Sequence, residues 1–343
     1  MTNSRWERRP DGSNWGDFGV DDQLGRLNLL TPERTRAAVA EVREGKSFCL
    51  SLPLDLPGGN ILNPNRHPPQ LSPTRRHGRL GLNFRLADVD PLRTDVLSDD
   101  VAILHLQYST QWDGLAHVGA MFDVLDDGVP RPVYYNGFAA GEDIVLIDGC
   151  DESQVESRAL ALGIEHMAAK GVQGRGVMID LLANFGAGRR LIGLSDLEYV
   201  LAKDGVTVEE GDIVCLHTGF ADAVLGMQGS PDIAVLEQTG CVLDGRDSGL
   251  LQWITDSGVA AIVADNYAVE AYPARGLGDV CCSALPLHEH CLFKQGIHLG
   301  ELWHLGPLAN HLRRQGHSRF LLTAPPLRLP GAIASPVTPI ATV

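Results

Sequence analysis

The sequence lacks most of the features that would place it quickly. No window approaches the roughly 20 consecutive apolar residues that cross a bilayer, and the opening MTNSRWERRPDGSNWG has no apolar stretch of the kind that directs secretion. A cytoplasmic location is the expectation. Basic residues never run longer than two, as at Arg75-Arg76 and Arg313-Arg314, and 28 Lys and Arg face 43 Asp and Glu for a formal net charge of −15. That balance argues against a nucleic-acid or anionic-membrane partner, since both need clustered cations to displace counterions. The seven cysteines are odd in number and irregularly spaced, and neighbours such as Cys281 and Cys282 make a poor disulfide. They are expected to be reduced and mostly buried, and they show no zinc-finger spacing. A G-x-S-x-G elbow is missing, as is a G-x-G-x-x-G turn leading into a helix, so neither a serine α/β-hydrolase nor a dinucleotide-binding unit is indicated. Asp123, Asp126 and Asp127 precede Gly128 out of the register of a calcium loop and read as a solvated turn.

What is present is a globular chain. Its 343 residues are 44% hydrophobic and 21% charged, enough to bury a sizeable core, and no linker or internal repeat divides them. One domain over 1–343 is expected, with 1–95 an N-terminal extension whose long loops pack on the core or on a partner subunit. Thr31-Pro32-Glu33 opens a helix that Gly45 closes, with Thr31 as cap and Pro32 in the first turn. Strands are expected over 47–55, from Asp100 onward with Ile103, His105 and Gln107 on one face, and over 175–182, 211–218 and 259–264. Helices are expected over 153–170, 195–204 and 246–257, with 56–80 a long loop. PLHEHCLFKQG reads as a short helix ended by Gly296, IHLGELWHL as strand-like, and the tail from Leu327 as apolar and turn-rich. Strands alternating with helices indicate an α/β fold.

The chemistry concentrates in Gln111-Trp112-Asp113-Gly114-Leu115-Ala116-His117. A spacing of four sets Asp113 and His117 on one face whether the segment is helical or extended. A carboxylate with an imidazole suits Zn²⁺ or Mn²⁺ better than Ca²⁺, although an Asp turn cap and a hydrogen-bonded His have the same spacing. A second cluster is His288-Glu289-His290 followed by Gly300-Glu301. On a helix starting near Leu287, His288 shares a face with Cys291 and Leu292, and a strand after Gly296 could return Glu301 beside the helix start. Asp113, His117, His288 and Glu301 then make a four-ligand set, with His288 and His117 as catalytic candidates and the role of His288, ligand or proton carrier, open. His290, His298 and His304 read as structural or surface residues. Gln111, Trp112, Phe122, Tyr134, Tyr135 and Tyr267 are candidate substrate contacts, against core packing as the alternative for the aromatic ones.

These segments resemble the cyclase superfamily, which includes kynurenine formamidase, isatin hydrolase and trans-dienelactone hydrolase. Where one branch reads H-x-G-T-H-x-D-x-P, this chain has Asp113 in place of the first His, His117 at the second, and Gly119 in place of the Asp. The resemblance is closer to a branch that reads Q-W-D-x-L-x-H-V followed by Y-N-G, here Gln111 to Val118 and Tyr135-Asn136-Gly137. It extends to Asp21-Asp22-Gln23-Leu24-Gly25 with Leu27-Asn28-Leu29, to Leu287-His288 with Gly300-Glu301, and to Leu329-Pro330-Gly331 with Ser335-Pro336-Val337. It implies a swivelling β/β/α fold, a divalent metal such as Zn or Mn, and a homo-oligomer, dimer or tetramer. The activity implied is a metal-dependent hydrolase acting on a cyclic amide, lactone or formamide. The alternatives are a cyclase or dehydratase on a polyketide-like substrate, and a metal-free binding protein of the same fold.

Overall fold

The computed structural model describes residues 5–147, 155–278 and 280–343. Nine strands form one mixed sheet: β1 (Ser47–Cys49), β2 (Gln111–Asp113), β3 (Gln173–Asp180), β4 (Ile213–His217), β5 (Ala261–Ala264), β6 (His298–Glu301), β7 (Arg319–Thr323), β8 (Ala334–Pro336) and β9 (Ile340–Thr342). Their order is β1-β9-β7-β3-β4-β5-β6-β2-β8. The inner four, β3 to β6, run parallel, and antiparallel strands close both flanks. Parallel strands are covered on both faces and so read as unbroken apolar runs, as VCL in β4 and AIVA in β5 do.

Helices cover the two faces. On one, Leu197 and Val200 of α3 (Leu194–Asp204) and Leu250 and Ile254 of α4 (Ser248–Ser257) pack on Val214, Leu216, Ile262 and Leu299. On the other, α2 (Ile164–Lys170) and α5 (Gly306–Gln315) bury Ile164, Met167, Leu308 and Leu312 against Met178, Cys215 and Val263. The α/β class expected from the strand–helix alternation is the one observed. Among the described residues no helix is long and apolar enough to cross a membrane. Cys215, Cys241 and Cys291 are buried, Cys49, Cys281 and Cys282 are exposed, and all six are free thiols.

Several boundaries move for physical reasons. The helix α1 (Pro32–Val39) has its Thr31 cap but stops before Gly45, because the Glu44 and Gly45 N–H groups bond the C-terminal Val343 carbonyl instead. The strand expected over 47–55 ends at Cys49, ahead of Pro53, which has no N–H to give a ladder. The strand from Asp100 stops at Ile103, and Tyr108 turns back on the His105 carbonyl. Residues 56–80 are not all loop, since Gln70–Pro73 pairs with Asp100–Ile103 and two shorter ribbons follow. Of the helix expected over 153–170, residues 153 and 154 lie outside the described residues. Glu156–Ala159 is a strand paired with Ile144–Ile147, and helix begins only at Ile164, after Gly163. The apolar tail holds β8 and β9.

Candidate metal centre

Antiparallel pairing of β2 with β6 sets Gln111 opposite Glu301 and Asp113 opposite Leu299. Opposed residues point to the same side of a sheet, so the Gln111, Asp113 and Glu301 side chains rise together while Trp112 turns to the other face. His288 arrives from a single helical turn, Pro286–His288, that widens into a π-helix over Glu289–Lys294. The Gln295 N–H bonds the His290 carbonyl five residues back. The sequence suggests an ordinary helix there. The wider turn buries Cys291, Leu292 and Phe293 consecutively, which a 3.6-residue period would not do. Such turns are rare and gather at functional sites.

Asp113, His288 and Glu301 are all buried, and one ligand atom from each lies within 4.8 Å of the other two. His288 Nε2 stands 3.3 Å from Glu301 Oε1 and 3.9 Å from Asp113 Oδ2. Two glutamines fix the carboxylates: Gln107 donates to Asp113 Oδ1 at 2.7 Å, and Gln111 donates to Glu301 Oε2 at 3.1 Å. Asp113 Oδ2 is buried with no hydrogen-bond partner among the described residues. A buried carboxylate oxygen without a partner is costly. Two buried carboxylates facing one imidazole are the donor set that a divalent cation satisfies, so the residues present fit a metal ion. Burial alone would lower the His288 pKa, but the hydrogen bonds to Glu270 and Glu301 outweigh it and push the imidazole up to about 10.

Of the residues singled out in the sequence, the structure brings Asp113, His288, Glu301 and Gln111 together. His117 stands at the edge, partly exposed, with Nε2 3.9 Å from Asp113 Oδ1 and its ring 6.4 Å from that of His288. Trp112 is in the opposite core, edge-on to Trp303, and gives its indole N–H to the Ala324 carbonyl. Tyr135 is buried, its hydroxyl 3.4 Å from Asp22 Oδ2, and Phe122 packs on Trp15 and Phe293. Tyr134 is half-buried against the same core.

Tyr267 does adjoin the site. Burial and, after it, the Glu301 charge push its phenol up. It lines an open pocket of about 470 Å³ with Ile61, Leu62, Phe220 and Tyr272. The remaining histidines have local partners or are buried: His290 Nε2 lies 3.0 Å from the Thr255 hydroxyl, and His304 Nε2 lies 3.1 Å from Asp222. His298 is buried, which pulls its pKa down to about 3.

Two further site residues escape a sequence reading. Gln107 sits in a loop with no spacing signal. Glu270, wholly buried behind His288, has one weak pointer: it follows β5, at the carboxyl end of a parallel strand, where open α/β sheets place their sites.

No curated protein matches the chain. Among solved structures, one described as a novel cyclase is 28% identical and superposes with a TM-score of 0.72, covering 100% of this chain and 99% of that one. Isatin hydrolase A from Labrenzia aggregata, bound to benzyl benzoate, shares the fold at 13% identity and a TM-score of 0.56, over 89% of this chain and 95% of its own. Isatin hydrolase A from Ralstonia solanacearum does so at 15% and 0.55, over 91% and 98%. The family model Cyclase, described as Putative cyclase, matches residues 52–271, a span that holds Asp113 and His117 and ends before His288 and Glu301. With most of its length inside that match, the chain belongs to the cyclase family.

Proposed function

We propose that the chain is a metal-dependent hydrolase that adds water to the carbonyl of a cyclic amide, a lactone or a formamide. The observation that carries this reading is the buried convergence of Asp113, His288 and Glu301 around an Asp113 oxygen that has no hydrogen-bond partner among the described residues. Asp113 and Glu301 would each hold the ion by one carboxylate oxygen and His288 by Nε2. Zn²⁺ or Mn²⁺ bound there supplies Lewis acidity, which polarises a carbonyl and lets water ionise near neutral pH. Gln107 and Gln111 keep the two carboxylates in place, and burial of the triad keeps bulk water from screening its charges. His117, at the edge and 22% exposed at its side chain, would carry a proton between the reacting atoms and solvent. The pocket at Tyr267 offers apolar and aromatic walls for the body of the substrate. The isatin hydrolases of the same fold support the hydrolytic reading. We further propose that the protein works as a homo-oligomer, with the ribbons between residues 70 and 103 as its contact.

Metal analysis of the purified protein tests the proposal. One divalent ion per chain is expected in the wild type and none in Asp113→Ala or Glu301→Ala. His117→Ala should keep its ion and lose about 10²–10⁴-fold in turnover, the usual worth of a general acid or base. A wild type without divalent metal, or both carboxylate variants with a full complement, sinks the reading. The 28% identical structure described as a cyclase favours a second reading, a dehydrating cyclase. Oxygen from labelled water enters the product of a hydrolase and not that of a dehydrating cyclase.

A further inference from the structure

Behind His288 lies a carboxylate that is not one of the three converging ligands. Glu270 is 0% exposed. Its Oε1 accepts the His288 backbone N–H at 2.9 Å and lies 2.8 Å from His288 Nδ1, while its Oε2 accepts the Leu287 N–H at 3.0 Å. Both Glu270 oxygens accept main-chain N–H groups, and the oxygen that faces Nδ1 serves as its acceptor as well, so Nδ1 carries the proton. In the neutral ring Nε2 is then the lone-pair nitrogen, and it is the one turned to Glu301 and Asp113.

The local backbone is shaped to deliver this carboxylate. Ala268 and Val269, immediately before it, have φ of 71° and 57°. Two consecutive left-handed residues, neither of them glycine and one β-branched, are rare. Such strain persists where the surroundings over-determine it, and it clusters at functional sites. Here the Asn266 amide holds the turn by donating to the Cys241 carbonyl at 2.8 Å and the Val269 carbonyl at 3.4 Å, and the Leu243 N–H bonds the Val269 carbonyl at 3.1 Å. Gly245 completes the arrangement. A Cβ there would lie 2.3 Å from Glu270 Oε2 and 2.8 Å from the Leu287 nitrogen, so glycine leaves the room in which the carboxylate meets the helix start.

We propose that Glu270 is a positioning residue, which fixes both the backbone entry of His288 and the proton on its Nδ1 so that Nε2 presents its lone pair to the Asp113–Glu301 pair. That use of Nε2 rests on the cation reading above. The sharing of one Glu270 oxygen between the main chain and the side chain of His288 ties ring orientation to backbone position. Turning the imidazole over would therefore take Nδ1 away from the same oxygen that holds the His288 backbone N–H. Outer partners of this kind set the tautomer and basicity of ligating histidines.

Long-range ¹H–¹⁵N spectra of ¹⁵N-histidine-labelled wild-type protein report which His288 nitrogen holds the proton. The measurement is made twice, on metal-free protein at alkaline pH, where the ring is neutral, and on protein loaded with Zn²⁺. A proton on Nδ1 in both is expected, and one on Nε2 in either overturns the proposal. Glu270→Gln keeps one acceptor oxygen but removes the charge and sets an NH₂ group against the Leu287 N–H. Its Zn²⁺ affinity by chelator competition should fall about 10–100-fold, and an unchanged affinity in the folded variant overturns the positioning role. Should that variant fail to fold, the wild-type spectra still decide. A wild type that takes up no Zn²⁺ yet holds the Nδ1 proton when metal-free refutes the cation reading while supporting the role of Glu270, so the two failures appear in different signals.

Discussion

Gly119 sits where the backbone leaves no space for a side chain. It stands where the H-x-G-T-H-x-D-x-P pattern has an aspartate, and the structure gives the reason for the departure. A Cβ at 119 would lie 2.3 Å from the carbonyl oxygen of Val133 and 3.0 Å from the Tyr134 ring. Val133 is held by the ribbon Arg131–Val133 against Ala120–Phe122, so that carbonyl cannot swing aside as a side chain would. Position 119 therefore has no room for a ligand side chain, and the three side chains that converge are Asp113, His288 and Glu301. Gly119→Asp should destabilise the protein by about 1–3 kcal/mol, the usual cost of overpacking, read as a lower denaturant midpoint, with metal content per chain unchanged. A variant as stable as wild type would show that the ribbon yields. Asp113, His288 and Glu301 were legible in the sequence because each sits in a pattern: a D-x3-H pair, a helix start, a strand returning after a glycine. Glu270 was not, since its placement depends on a left-handed pair at Ala268 and Val269, and neither residue type announces such a conformation.

The carboxyl ends of the parallel strands hold a second polar group, and its pH behaviour follows from how those elements join. His217 ends β4 and is 0% exposed, with Nδ1 2.8 Å from Asp180 at the end of β3 and Nε2 3.9 Å from Asp222. Asp222 also approaches His304, beyond β6, and Asp265 after β5 accepts the Thr218 and Gly219 N–H groups. Burial would lower the His217 pKa, but the hydrogen bond to Asp180 and the nearby Asp222 carboxylate win and raise it from 6.5 to about 9. A pKa raised by folding gives stability that is complete below pH 6.5 and is lost as pH climbs through about 9. The loss for such a shift is up to about 3 kcal/mol. Thermal midpoints of the wild type should accordingly fall across that window, and those of His217→Gln should stay flat. Matching slopes in the two proteins would assign the effect to other groups. Strand and helix cores such as 175–182, 195–204 and 246–257 were readable from periodicity within a few residues. The misses, at 155–163 and in the C-terminal tail, are segments set by their strand partners: Glu156–Ala159 pairs with Ile144–Ile147, β8 with β2, and β9 with both β1 and β7, of which β1 and β2 lie far along the chain. A ladder partner far along the chain leaves no local trace.

At the scale of the molecule, segments outside β2 that carry the sequence resemblance act as joints. Asp22 accepts the Gly25 N–H at 2.8 Å and the Asn28 amide at 2.6 Å, and Asn136 of the Tyr-Asn-Gly segment donates to the carbonyls of Gly19, Val20 and Asp22. Gly25 passes so close to Gly296 that a Cβ would lie 2.1 Å from the Gly296 carbonyl oxygen. At the other terminus the Gly114 N–H bonds the Ile333 carbonyl, and β8 flanks the strand that holds Asp113. Both ends of the chain thus brace the site. The ribbons between 70 and 103 do not. Their charges pair within the arm, Arg76 with Asp99 at 2.9 Å and Arg79 with Asp88 at 3.3 Å, while Leu71, Leu92 and Ile103 are 72%, 90% and 61% exposed. A two-stranded ribbon is marginal in water without something packed on it, and an arm whose ion pairs are internal while its apolar side chains are exposed is suited to a second copy of the same chain. Light scattering should therefore give a mass that is a multiple of 37.0 kDa. The paired change Leu71→Lys and Ile103→Lys, made on facing strands of one ribbon, should lower it to a single chain while the metal content per chain is kept. A monomeric wild type, or an oligomer indifferent to that change, would remove the arm from the interface.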